Sequence, residues 1–143
     1  VHSRGEGGVV AVVAESTIPT VQALVKWDPV GHAESELDAR ADVGLPPSVH
    51  MAAVDGGSAA VAALIGLAEL PEEAALMGPV DLPPGVRRPA TTAPDEPAVR
   101  MLIRVARDEG LALSASLRHA TAIASARHDH EAVRVQIDPL HIG

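Results

Sequence analysis

The chain has 143 residues, of which 47% are hydrophobic, and its 19 acidic residues outnumber 11 basic ones to give a formal net charge of -8. This apolar content predicts one compact domain with a small appendage. The excess of acidic residues excludes non-specific binding of polyanions such as DNA, unless arginine side chains are concentrated on one face of the domain. The absence of cysteine excludes disulfides, thiolate zinc sites and cysteine nucleophiles. No apolar run is long enough to span a membrane and no secretory signal is evident, so we expect a soluble, cytoplasmic protein.

The amino-terminal third of the sequence predicts a strand and two helices. Residues 9–14 form a continuous, largely β-branched run of the kind that suits a strand buried on both faces. Pro19 predicts the start of one helix, and Asp28-Pro29 predicts the start of a more polar one that Gly44 closes. We expect Trp27, the only aromatic residue, to anchor a core otherwise built from Ala, Val, Leu and Ile.

A double proline at residues 46–47 marks the boundary of the main domain, which the pattern divides into four strands and two helices. Strict apolar/polar alternation is the clearest signal for the fourth strand. The third strand is predicted by Val99, Met101, Ile103 and Val105, which alternate with Arg100, Leu102, Arg104 and Ala106. The first half is predicted to contain a strand at 49–54, a turn at Asp55-Gly56-Gly57, a helix from Ser58 and a short strand at 75–77 stopped by Gly78-Pro79. An exposed Pro-rich loop at 81–97 follows. The second half is predicted to contain a strand at 99–106, a helix opened by Asp108 and Glu109, and a closing strand at 133–137 stopped by Asp138-Pro139.

This order consists of two split βαβ halves, which predicts an α/β (α+β) ferredoxin-like sandwich. Two helices would cover one face of the sheet and leave the other face open. The outward residues of that open face then acquire a functional meaning; they are His50, Arg100, Arg104, Arg134 and Gln136.

Three motifs occur in an order that resembles the carboxyl-terminal part of the primosomal protein N′ (PriA) family of replication restart proteins. They are Leu45-Pro46-Pro47-Ser48-Val49-His50, Met77-Gly78-Pro79-Val80 and Val135-Gln136-Ile137-Asp138-Pro139-Leu140. Residues 9–43 are similar to that family's exit from its second helicase lobe. The arginine-rich, lysine-poor composition is similar to its high-GC bacterial branch.

The resemblance implies three parts: residues 1–27 as the end of helicase lobe 2, residues 28–44 as a linking helix, and residues 45–143 as a ribosomal S10-like domain. It implies that the chain is complete at Gly143 and that further helicase lobes of the same protein precede Val1. The full-length family is an ATP-dependent DNA helicase with a zinc insertion. This chain has no phosphate loop, acidic helicase motif or cysteine, so we expect no catalytic residue, no metal, and neither ATP nor zinc as a cofactor.

The resemblance also implies work at stalled or repaired forks, with forked or single-stranded DNA and primosome proteins as partners. The family has a basic segment entering its third strand, and Arg87 and Arg88 occupy the matching place. Aromatic partners are absent there and Asp95 and Glu96 are added, so we expect electrostatic binding rather than stacking. The candidate DNA-binding residues are Arg87, Arg88, Arg100, Arg104 and Arg134.

The residues themselves are also compatible with other functions of the chain. The arginines could be the ordinary outward charges of half-buried strands, and an acidic domain with a Pro-rich arm could be a protein-docking module of the primosome. A small-ligand regulatory domain is a third possibility on the same fold. His128-Asp129-His130 has the residue types of a metal site, but its place between a helix and a strand favours a polar turn.

Overall fold

The structure is a computed structural model that describes residues 3–90, 92, 97–127 and 133–142. Its helices and strands follow the predicted order in the main domain. In chain order they are α1 (Pro19–Lys26), α2 (Pro29–Asp42), β1 (Val49–Gly57), α3 (Ser58–Leu67), β2 (Ala75–Asp81), β3 (Ala98–Ala106), α4 (Gly110–Arg127) and β4 (Arg134–Ile137). The chain divides into two compact units after Ala39, within α2. The predicted division of the chain into three parts, with boundaries after residues 27 and 44, stays a prediction.

The first unit contains α1 and most of α2, but not the predicted strand. Residues 9–14 form no strand, and Val13 is 100% exposed. An isolated strand leaves its backbone groups without ladder partners, and the described part of this unit offers no second strand to pair with. The prediction of a buried strand here is therefore wrong.

Trp27 ends α1 in the left-handed conformation, with φ 56°. Asp28 then caps α2, because its Oδ1 accepts a hydrogen bond from the backbone N–H of Gly31 at 2.9 Å. Neither helix has a buried residue, and Trp27 is 79% exposed. The expectation that Trp27 anchors a core is wrong, since the two helices bury too little apolar surface to enclose an indole.

The described strands form a four-stranded antiparallel sheet in the order β2-β3-β1-β4. Helix α3 connects β1 to β2, which flank β3, and α4 connects β3 to β4, which flank β1. The architecture is thus a mixed α/β domain, as predicted. The predicted turn at Asp55-Gly56-Gly57 is wrong, because these residues continue β1 and pair with the start of β3 as far as Ala98.

Strand β2 also runs further than predicted. It continues past Gly78-Pro79 to Asp81, with an irregular register between Met77 and Val80. Gly78 has φ 119°, and a Cβ there would lie 2.8 Å from the carbonyl oxygen of Arg100. Glycine is therefore required where the strand bends past its neighbour, and the proline interrupts the ladder without ending the strand.

The main core lies between the sheet and the two helices α3 and α4. Their periodic apolar residues meet the alternating residues of β1 and β3, as the helical and strand spacings predict. The buried members are Ala52, Val54, Val61, Leu64, Ile103, Val105, Leu113, Leu117 and Ala120. Both helices therefore cover the same face.

The opposite face of the sheet is not fully open, contrary to the expectation. It carries a smaller apolar cluster of Met51, Ala53 and Leu102, against which Leu45 and Ile142 pack. The chain after β4 is held there by Asp138, whose backbone N–H donates to the carbonyl of Met51 at 2.7 Å and whose Oδ1 accepts from the N–H of Met51 at 3.0 Å. The segment after the closing strand is therefore part of the folded domain.

None of the helices in the described ranges is both long and apolar enough to cross a membrane.

Candidate nucleic-acid interface

Two of the candidate arginines lie in one row across three neighbouring strands, with a carboxylate between them. The register pairs Asp55 of β1 with Arg100 of β3 on one side and with Arg134 of β4 on the other. Arg100 Nε donates to Asp55 Oδ1 at 2.7 Å, and Arg100 Nη2 donates to Oδ2 at 2.9 Å. Arg134 Nη2 and Nε also donate to Oδ2, at 2.7 and 3.2 Å. One carboxylate thus holds two guanidinium groups and leaves the row with one net positive charge.

Arg100 does not project from the sheet, so its expected outward position is wrong. Its side chain is 1% exposed, and that of Asp55 is completely buried. Its third hydrogen bond goes from Nη1 to the carbonyl oxygen of His141 at 2.6 Å. The physical reason is that Asp55, rather than a turn, faces Arg100 across the ladder. Arg100 therefore fastens the carboxyl-terminal segment to the sheet.

Arg100 and Arg134 line a cleft of about 210 Å³. Arg87 from the loop after β2 lines the same cleft, together with Gln136 of β4 and His141. Arg134 is 30% exposed at this site, and Arg87 is exposed. The structure therefore brings together Arg87, Arg100 and Arg134, and we call this site the arginine cleft.

Arg104 and Arg88 lie outside the arginine cleft. Arg104 lines a separate cleft of about 470 Å³ that also contains the acidic residues Asp42 and Glu73. It forms no ion pair within the described part of the chain. Arg88 is exposed in the loop beside Arg87.

His50 lies on the helix-covered side of the sheet, so its expected position among the arginines is wrong. It pairs in the register with Val105, a member of the main core, and it shares a strand face with Ala52. Its Nδ1 lies 2.8 Å from Asp138 Oδ2. His50 is thus part of the attachment of the carboxyl-terminal segment.

The two arginines control the ionisation of Asp55. Burial of the Asp55 carboxyl acts to raise its pKa, but the hydrogen bonds from Arg100 and Arg134 and their positive charges outweigh burial, so the pKa is lowered. The hydrogen bond to Asp55 in turn raises the pKa of Arg100. Both shifts favour the charged forms of Asp55 and Arg100.

This lowered pKa predicts a specific loss of stability in acid. A carboxyl with a lower pKa in the folded state contributes stability that is complete above its unfolded pKa of about 3.9 and is lost as the pH falls through the folded value. We expect the free energy of unfolding, measured by urea titration with far-ultraviolet circular dichroism, to fall below about pH 4. The Asp55→Asn variant should show a shallower decline in this range, and an equally steep decline in the variant would contradict the prediction.

The described residues contain no group of three or more His, Cys, Asp or Glu side chains placed to hold a metal ion. The His128-Asp129-His130 motif lies outside the described residues, as do Asp95 and Glu96.

The central residue of the site, Asp55, was missed by sequence reasoning. The Asp-Gly-Gly sequence is typical of a turn, and this local signal conceals the strand. Continuing the alternation of β1 through Met51 and Ala53 would have placed Asp55 on the same face, where a buried carboxylate needs a cationic partner on a neighbouring strand. Arg100 and Arg134 are the residues that fit this requirement.

An antiparallel α/β domain with an arginine-lined cleft is thus the class of protein that the geometry defines. The family model described as the primosomal protein N C-terminal domain matches residues 41–140, and the chain belongs to this family. The resemblance found in the sequence motifs is therefore confirmed.

Curated relatives carry the name probable replication restart protein PriA. One from Mycobacterium tuberculosis (strain CDC 1551 / Oshkosh) is 61% identical over the whole of this chain, and one from Mycobacterium leprae (strain TN) is 62% identical, again over the whole chain. The chain spans 23% of the first relative's length and 22% of the second's.

Proposed function

We propose that the chain is a non-catalytic part of a replication restart protein and supports DNA binding at stalled or repaired forks in the cytoplasm. The observation that carries the proposal is the arginine cleft, which Arg87 and Arg134 both line although the chain as a whole has a net charge of -8. A local concentration of arginine is what an acidic domain needs to contact phosphates. The names of the relatives supply the setting of replication restart.

The arginines have different roles in this proposal. Arg134 and Arg87 contact the DNA backbone at the arginine cleft, and the exposed Arg88 extends the contact along the loop. Arg104 adds a contact at the other end of β3. Arg100 is too buried to reach a phosphate, so it supports the cleft from beneath. No ATP or zinc is assigned to this chain.

The ferredoxin-like, ribosomal S10-like class is part of the same proposal. It is supported by the antiparallel order β2-β3-β1-β4 and by two helices on one face of the sheet.

The proposal predicts salt-dependent binding to forked DNA. Contacts from Arg87, Arg88, Arg104 and Arg134 should give a plot of log affinity against log salt with a slope of roughly -3 to -4. Fluorescence anisotropy with a labelled fork, repeated across a salt series, measures this slope. Absence of binding at low salt would exclude direct DNA contact by this chain.

A matched pair of double variants locates the contact. Arg87→Gln with Arg88→Gln should weaken binding and reduce the magnitude of the slope by about 2, because each lost phosphate contact removes about 1. Arg118→Gln with Arg127→Gln changes the net charge equally but lies on α4, which packs on the other face of the sheet. Equal losses in the two double variants would show that binding is not localised to the arginine cleft and the loop that carries Arg87 and Arg88.

A primosome docking module is the second candidate function. The observation that favours it is an apolar groove of about 300 Å³ in the first unit, lined by Thr20, Ala23, Leu24, Trp27, Pro29 and His32. Solvent-exposed apolar grooves of this kind mark protein contacts. A chain that binds no fork at low salt, yet loses binding to primosome proteins on Leu24→Ser substitution, would support this candidate over the first.

A further inference from the structure

We propose that Asp55 is a positioning residue of the arginine cleft, which holds the guanidinium of Arg134 ready to bind a backbone phosphate. This inference rests on the proposed function and deepens it. According to this inference, the negatively charged Asp55 increases the affinity of the chain for negatively charged DNA. Asp55 itself is completely buried, so its part in binding is indirect.

The first step of the argument is the geometry of Arg134. Its Nε and Nη2 both donate to Asp55 Oδ2, so two hydrogen bonds fix the plane of the guanidinium. Its Nη1 makes no hydrogen bond with any residue in the described ranges, and the side chain is partly exposed at the cleft. The fixed guanidinium thus keeps donors available for an oxyanion.

The second step is the rigidity of Asp55. Arg100 binds both of its oxygens from the other side and is itself held by the carbonyl oxygen of His141. Asp55 therefore cannot follow Arg134 if the arginine moves toward solvent. A free arginine loses much of its rotational freedom when it binds, whereas one already held in place loses less.

The third step is electrostatic. It makes the proposal testable, because positioning and long-range attraction predict opposite changes in DNA affinity for the same substitution. Asp55→Asn changes the formal net charge from -8 to -7, because one of the 19 acidic residues is removed. Long-range attraction alone predicts tighter DNA binding by the less acidic variant. Positioning by Asp55 predicts weaker binding, because a neutral amide accepts guanidinium hydrogen bonds less strongly and has only one acceptor oxygen.

The experiment measures the anisotropy of a labelled DNA fork with the 143-residue chain, after far-ultraviolet circular dichroism has confirmed folding at the working temperature. We expect Asp55→Asn to lose on the order of tenfold in affinity at low salt. The matched control is Asp108→Asn, which makes the same charge change at an exposed position after the far end of β3. It should bind as tightly as the unmodified chain or slightly more tightly.

Two further variants separate positioning from a general structural effect. When Arg134 is already replaced by Gln, Asp55→Asn should cause little additional loss of DNA affinity, because Asp55 acts on DNA only by positioning Arg134. If Asp55→Asn does not fold, Arg134→Lys provides the test: it keeps the charge but cannot form the two-pronged contact. We then expect a severalfold loss of affinity with a nearly unchanged salt slope.

The outcomes are distinct for the two proposals. If the unmodified chain binds no fork at low salt, the proposed function and this inference both fail. If it binds and Asp55→Asn binds equally or more tightly, only the inference fails. Full affinity of Arg134→Lys would overturn it in the same way.

Discussion

Replacing Arg100 with methionine is expected to lower the free energy of unfolding by about 3 kcal/mol or more, because the change leaves a buried carboxylate short of its main partner. Asp55 is completely buried and receives two hydrogen bonds from Arg100. Arg134 still holds one of its oxygens and limits the loss. The substitution also removes the attachment of the His141 carbonyl, so the carboxyl-terminal segment should exchange its amide hydrogens faster.

Arg104→Met is the control for this prediction. Arg104 lies on the same face of β3, four residues along, and makes no ion pair in the described part of the chain. We expect it to change the unfolding free energy by less than about 1 kcal/mol. Urea titrations followed by far-ultraviolet circular dichroism compare the two. Similar effects of the two variants would show that the buried ion pair is not what stabilises this part of the sheet.

Leu117→Ala is expected to be the other large effect, at about 2–5 kcal/mol. Leu117 of α4 is 1% exposed within the main core, whose buried members in the described part of the chain are Ala, Val, Leu and Ile. A core without phenylalanine or tyrosine buries less area per residue, so each leucine carries a larger share of the hydrophobic stabilisation.

Leu111→Ala makes the same chemical change on the same helix at a residue that is 87% exposed. Its expected effect is below about 0.5 kcal/mol. Because both variants make the same change in helix propensity, the difference between their unfolding free energies measures the contribution of burying the Leu117 side chain. A difference smaller than about 1 kcal/mol would mean that α4 does not pack as the structure shows.

Periodicity in the sequence predicted the main domain well. Strand β3 has apolar residues at every second position from Val99 to Val105, and Ile103 and Val105 of this set are buried in the main core. Helix α3 presents Val61 and Leu64 at helical spacing, and both are buried. Such signals suffice because one face of each element must be apolar to be covered.

The failed predictions have a common physical origin, since local residue types were interpreted without their neighbours. Residues 9–14 have strand-forming side chains but no partner strand in the described part of their unit. Asp55-Gly56-Gly57 has turn-forming residues, yet pairing with β3 and β4 keeps Asp55 extended. Tertiary pairing overrides local preference in both cases.

The candidate site was predicted in part. Arg87, Arg100 and Arg134 do line one cleft. The sequence, however, indicated that Arg100, Arg104 and Arg134 all point outward, whereas a buried carboxylate binds Arg100 and Arg134 and Arg104 lies elsewhere. Alternation predicts the face on which a side chain lies. It does not predict the strand order, and here the order β3-β1-β4 determines which charges meet.

The exposed position of Trp27 has a practical consequence for spectroscopy. The indole is the only aromatic side chain of the protein, and it is already 79% exposed in the folded chain. Its emission maximum therefore has little room to shift to longer wavelength when the protein unfolds, and no tyrosine is present to report instead. A nearly constant tryptophan spectrum during denaturation is the expected behaviour of this molecule even while its sheet is being lost.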